Sequence, residues 1–254
     1  YNLLAIICCA ALIPIVLTRM PQPVTDSAPR LRPMLAWRCS PLAAVGVVVA
    51  GVTMAAFRMV GPLYGGEVGL APEAIAFFLA AFVLGGAFSQ YPAGWLADKY
   101  DRRWVLIWIS AASILASALV IWTGSASPTA IMLASGAFGF ATFPIYSVSA
   151  AHAHDYASAP ERVELSAALV FLYALGAIAS PLVVSRLIES FGPAAMFVLV
   201  AVVHAVLIVF GLMRMRVRPA DTRTRYIYMP RTSFILGRLL GRARETPQSD
   251  DSRG

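Results

Sequence analysis

The chain alternates long apolar runs with short polar breaks. Residues 1–18 form a first run, and six more follow over about 40–63, 72–97, 103–123, 127–151, 158–188 and 192–213. Each approaches the roughly 20 residues that cross a bilayer as a helix. Five breaks place proline at or just inside the next run: Ser40-Pro41, Ala71-Pro72, Ser127-Pro128, Ser158-Ala159-Pro160 and Gly192-Pro193. Proline suits a helix's first turn, where its missing N–H is not needed. Asp101 fits the N-cap of the run that starts near Arg103, and Ser158 with Glu161 reads as a capping box. Pro14 inside the first run is tolerated in a packed membrane helix. The pattern predicts an all-α, polytopic membrane helix bundle. Residues 1–18 form one helix, 19–38 a linker, 39–214 a six-helix bundle and 215–254 a polar tail. The linker holds four Pro and four Arg, a composition that favours extended, solvated chain.

Composition agrees with a lipid environment. The chain is 59% hydrophobic and 13% charged, whereas soluble domains carry about 25% charged residues. The net charge of +7 is sorted by membrane side. With seven spans, every Lys and Arg except Arg58 and Arg186 falls on one side. These residues lie in 19–38, in the turn 98–103, at Arg162 or in the tail. That excess marks the cytoplasmic side and argues against a basic patch for nucleic acid. Trp104 and Trp108 near the inner face, and Trp122 near the outer, suit interfacial anchoring. The tail reads as a disordered topology anchor; the alternative is an amphipathic piece from Phe234 to Leu240, with Arg231 and Arg238, lying on anionic lipid. Cys8, Cys9 and Cys39 lack metal spacing and read as small buried residues. Tyr1 opens inside an apolar run without the basic n-region or cleavage site of a signal peptide. The expectation is the C-terminal part of a longer protein.

A charged knot separates the runs 72–97 and 103–123. It reads Gly94-Trp95-Leu96-Ala97-Asp98-Lys99-Tyr100-Asp101-Arg102-Arg103, with three cations and two anions. Gly94 permits close backbone approach. Asp98 ends one helix and can accept hydrogen bonds from the start of the next. This spacing resembles the signature loop of the major facilitator superfamily, roughly Gly-x-Leu-x-Asp-Arg/Lys-x-Gly-Arg/Lys-Arg/Lys. Gly94, Leu96, Asp98, Lys99, Arg102 and Arg103 match, and Asp101 stands where the family usually has Gly. The resemblance implies a latch between helices at the cytoplasmic side as the transporter rocks. Without it, the knot reads as a turn that sets topology.

A second stretch is similar to helices ten and eleven of a largely uncharacterised bacterial branch of that superfamily. It comprises Phe143-Pro144-Ile145-Tyr146-Ser147-Val148-Ser149-Ala150-Ala151-His152-Ala153-His154-Asp155, then Leu172-Tyr173-Ala174-Leu175-Gly176-Ala177. The branch carries His-Ala-Asn-Asp at the cytoplasmic end of helix ten, and His154 replaces the Asn here. The resemblance covers most of residues 1–240. It implies the sixth helix, central loop and C-terminal bundle of a twelve-helix secondary transporter in a bacterial inner membrane, with a cytoplasmic C-terminus. Its partners would be the lipid bilayer, a small-molecule substrate and the N-terminal half of the same protein.

Cavity helices in such folds are broken by Gly or Pro at matching positions of two inverted repeats. The first helices of the two repeats contain Phe57-Arg58-Met59-Val60-Gly61-Pro62-Leu63-Tyr64 and Gly136 to Tyr146. Arg58, Phe57, Tyr64, Phe140, Thr142 and Tyr146 are therefore the cavity candidates; the alternative is ordinary packing by small residues. Arg58 lies about five residues before the outer end of its run, at Leu63. An intramembrane Arg is costly, so it snorkels, pairs with an acid or meets an anionic substrate. Glu67, Glu73 and Glu189 fall at the outer border, Glu161 and Glu164 at the inner one, and none is deep. His204 reads as a packed neutral side chain. His152, His154 and Asp155 are candidates for a cytoplasmic gate that hydrogen-bonds to the signature loop; they supply too few ligands for a metal. The chain has no Gly-rich phosphate loop and no catalytic constellation, so neither an enzyme nor a cofactor is expected. The main alternatives to a transporter fragment are a membrane sensor or scaffold and a half-sized transporter acting as a dimer.

Overall fold

The computed structural model describes residues 6–7, 9–13, 31–124 and 127–217. Residues 6–7 and 9–13 are helical. The rest of the expected first span, most of the linker and the tail with its Phe234 to Leu240 piece lie outside the described residues. The bundle runs α1 (Pro33–Cys39), α2 (Pro41–Glu67), α3 (Pro72–Lys99), α4 (Arg102–Thr123), α5 (Pro128–Thr142), α6 (Pro144–His154), a 3-10 turn (Ala159–Glu161), α7 (Arg162–Phe191) and α8 (Ala195–Val217). Among the described residues, six stretches are long and apolar enough to cross a membrane by length and composition, with α5 and α6 counted as one.

The starts follow the capping chemistry. The Ser40 hydroxyl accepts the Ala43 N–H at 3.2 Å, and Ser127 accepts that of Ala130 at 3.2 Å. The Asp101 carboxylate accepts the Arg103 N–H at 2.8 Å, satisfying an otherwise orphaned donor of α4. Two expectations are corrected. Of the capping box only the Glu161 half forms: its carboxylate accepts the Ser158 backbone N–H and hydroxyl across the 3-10 turn, whereas Ser158 makes no side-chain cap, and α7 begins only at Arg162. The linker is not extended throughout. Pro33 starts α1, and Leu35, Ala36 and Cys39 bury one of its faces, mainly against α7 and α2. Apolar positions at helical spacing prevail there over the Pro and Arg composition.

The dominant packing pairs are α2 with α7, α3 with α5 and α4 with α8. Exchanging the triplet α2–α3–α4 with α5/α6–α7–α8 maps the first pair onto the second and the third onto itself. That is the packing signature of two inverted three-helix repeats. Both exchanged pairs use the same device. A Cβ on Gly51 would collide with the Tyr173 carbonyl on α7, and one on Gly176 with the Val48 carbonyl on α2. A Cβ on Gly139 would collide with the Phe82 carbonyl on α3. Glycine lets these backbones touch, which drives helix association where lipid supplies no hydrophobic force.

An aromatic cluster fills the core between α2, α3, α5 and α8. Phe57 stacks on Phe82 with centroids 3.9 Å apart, and Phe78, Phe138 and Phe197 close around it. The outer faces carry large exposed apolar side chains, among them Trp104, Trp108 and Trp122, as a lipid-facing surface requires. Pro62 leaves α2 unbroken to Glu67, whereas the chain between α5 and α6 is interrupted at Phe143, next to Pro144. The two repeats thus differ in how far proline breaks the helix.

Candidate functional site

Charge gathers at one end of the bundle, and Arg102 organises it. With Asp101 capping α4, Arg102 is the helix's first residue, and its guanidinium reaches two neighbouring helix ends. Nη1 donates to the Asp155 carboxylate and, at 3.1 Å, to the Ala151 carbonyl of α6. Nη2 donates to Asp98 at 3.2 Å, and Nε to the Ala97 carbonyl of α3 at 3.3 Å. Ala97 and Ala151 lie in the last turns of their helices, where the helix dipole is negative; the Ala151 carbonyl also accepts the Asp155 N–H at 3.2 Å. One planar cation therefore ties the ends of α3 and α6 to the start of α4. Its side chain is 12% exposed, against 24% for Asp155 and 58% for Asp98. The better-shielded share of the interaction belongs to Asp155.

The other members of the knot diverge. Arg103 is buried, with Nε 3.8 Å from Asp101. It lines a small recess with Ser40, His152, Tyr156 and Arg214. Lys99 turns outward, its ammonium 4.7 Å from the Trp95 ring centroid and 5.6 Å from that of Tyr100, a cation–π arrangement. Gly94 is exposed, and a Cβ there would meet nothing within 4 Å. The close approach expected of it is not made in this conformation. His152 is buried edge-on to Tyr156, with centroids 5.4 Å apart. His154 places Nε2 at 3.2 Å from the Ser166 hydroxyl of α7. Of the gate candidates, Asp155 alone meets Arg102 directly. Arg32, just before α1, pairs with Glu164 of α7 at 3.1 Å, drawing α7 to the same end. The Ala151 carbonyl has no sequence signal, because any residue supplies one.

A cavity of about 360 Å³ opens between α2, α6 and α7. Ala50, Met54 and Arg58 line it from one stripe of α2, each four residues from the next, opposite Phe143, Tyr146, Val170 and Tyr173. Arg58 and Tyr146 are thus on its wall. Four expected cavity residues are elsewhere. Phe57, one position from Arg58, turns into the aromatic core and is 1% exposed. Tyr64 is buried and donates to the Val120 carbonyl at 3.0 Å. Thr142 is buried and donates to the Phe138 carbonyl at 2.8 Å. Phe140 is exposed but off this wall. Adjacent helical positions point about 100° apart, so a motif of eight residues cannot face one cavity throughout. Phe143 and Tyr173 join the wall without being singled out from sequence. The helix interruption and the second motif were the available signals. His204 is buried and donates from Nδ1 to the Val200 carbonyl at 2.8 Å, away from this wall.

An all-helical bundle with paired inverted repeats, a lipid-facing exterior and a guanidinium hub at one end defines a multi-pass membrane protein of the transporter-like bundle class. The family model for the Major Facilitator Superfamily matches residues 43–242, and the chain belongs to that superfamily. An uncharacterised MFS-type transporter of Yersinia pestis is 30% identical over 76% of this chain and 48% of its own length. Another, from Yersinia enterocolitica, is 26% identical over 84% of this chain and 54% of its own. YcaD of Salmonella arizonae, also an uncharacterised MFS-type transporter, is 27% identical over 76% and 50%. The chain spans about half the length of the curated relatives it matches. Among solved structures, the POT family transporter PepTSo superposes with a TM-score of 0.57 at 20% identity, over 76% of this chain and 39% of that one. An auto-inhibited POT family peptide transporter gives 0.59 at 16%, over 85% and 43%. At these identities the likeness is one of fold.

Proposed function

We propose that this chain is the C-terminal six-helix half of a secondary transporter that carries a small solute across a bacterial inner membrane by alternating access. The observation that carries this reading is the Arg102 hub. A single guanidinium holds three helix ends together at the end where the Lys and Arg collect, while a cavity lies between α2, α6 and α7. Its acceptors belong to separate helices of this bundle, so the hub fixes how those helix ends sit against one another as this half moves against its partner. The chain's coverage of about half of each curated relative supports a partner half that completes the cavity. The cytoplasmic placement of the hub rests on the positive-inside asymmetry. This half alone is expected not to transport.

The test is flux. The full-length protein in proteoliposomes is offered small solutes of each charge, with and without a proton gradient. Saturable uptake with exchange stimulated by solute on the opposite side is the expected result. Channel-like, unsaturable leak would contradict the reading.

A further inference from the structure

We propose that the cavity between α2, α6 and α7 binds an amphipathic organic monoanion, with Arg58 holding the anionic head and the aromatic wall holding the body. This rests on the transport reading above and names the substrate class of that cavity.

Arg58 is deeper than its sequence position suggests. Because α2 continues to Glu67, Arg58 lies nine residues from the helix end, about 14 Å at 1.5 Å per residue. It is four residues past the middle of a 27-residue helix, within a hydrocarbon core about 30 Å thick. From there the head group is poorly placed to reach the outer interface. Its position on the Ala50–Met54–Arg58 stripe turns it toward the cavity rather than lipid.

Its partners are also informative. The other outlying cation, Arg186, has Glu189 at 3.3 Å. Among the described residues Arg58 has no ion-pair partner and is the one charged residue on this wall. Guanidinium stays protonated at any working pH and presents a fork of donors matched to carboxylate. A permanent cation facing an apolar cavity in the bilayer requires an anion from elsewhere. This wall supplies one cation, the match for one negative charge. Phe143, Tyr146 and Tyr173 supply the rest. The two tyrosine rings meet edge-on with centroids 5.4 Å apart, a surface for an aromatic or aliphatic body with phenolic groups at hand.

Three probes share one body and differ in head charge: phenylacetate, phenylacetamide and 2-phenylethylamine. Binding to the purified full-length protein in detergent is read by calorimetry. Phenylacetate should bind at least tenfold more tightly than the other two. Arg58→Gln should remove at least tenfold of that affinity, Arg58→Lys should retain part, and Arg186→Gln should change nothing. Equal binding of the amide or the amine, or binding of none of the three to wild type, overturns the assignment. So does phenylacetate affinity unchanged in Arg58→Gln, which would leave Arg58 to an acidic side chain elsewhere in the full-length protein. Wild-type discrimination among the probes decides the matter even if a variant fails to fold. Two-sided access to the cavity tests the transport reading separately.

Discussion

Arg102 and Asp155, 53 positions apart in the chain, form the ion pair that joins the start of α4 to the end of α6. The same guanidinium also holds the Ala151 carbonyl, so the pair is anchored to backbone as well as to charge. Replacing either residue should loosen the same contact, and replacing both should cost little more than replacing one. The coupling in a double-mutant cycle of Arg102→Ala and Asp155→Ala should be about 1–2 kcal/mol. Read as the ratio of inward- to outward-accessible protein, that is roughly a 5- to 30-fold shift. Strictly additive effects would mean that the two residues act independently.

Asp98 should matter less than its place in the signature loop suggests. Its carboxylate is 58% exposed, and exposed pairs at this helical spacing contribute about 0.3–0.5 kcal/mol. Asp98→Asn should therefore leave thermal stability in detergent almost unchanged, while Asp155→Asn lowers it clearly. The reverse order would relocate the hub.

Asp101 has a role that the glycine usual at this position cannot fill through a side chain. It caps α4 and so sets Arg102 at the helix start. Asp101→Ala should destabilise by about 1 kcal/mol, and Asp101→Asn should retain most of the cap. Thermal unfolding of the full-length protein, with both variants side by side, checks this.

Gly51 and Gly176 permit the α2–α7 crossing, each facing a backbone carbonyl of the other helix. Gly51→Leu should force the helices apart at a cost of about 1–3 kcal/mol or more. The exposed Gly94, with nothing near its missing Cβ, should accept alanine without loss. Monodispersity on size exclusion and the unfolding midpoint distinguish the two.

The six spans from Pro41 onward, the starts at Ser40, Asp101 and Ser127, and the gathering of Arg102 with Asp98 were legible because they depend on local pattern. Apolar runs of bilayer length, cap residues and i,i+4 charges are written in consecutive residues. The Arg102–Asp155 contact was foreseen only as a gate hypothesis, since it joins residues on different spans. The cavity wall was the least legible part. Phe57 and Arg58 are neighbours in sequence and face opposite environments, and only the rotation of α2 against α3 and α7 decides which is which. Helix α1 was hidden by the linker's composition: its burial comes from Leu35, Ala36 and Cys39 meeting α7, a tertiary effect that local composition does not show.

Alternating access is the central claim, and Val170 on the cavity wall reports on it directly. In the full-length protein with every native cysteine replaced, Cys8, Cys9 and Cys39 among them, a single cysteine at Val170 is challenged with a membrane-impermeant thiol reagent. The reagent is added from one face in right-side-out vesicles and from the other in inverted ones. Modification from both faces is the predicted result, with Asp155→Ala changing the proportion between them. Modification from one face alone, indifferent to Asp155→Ala, would contradict the account.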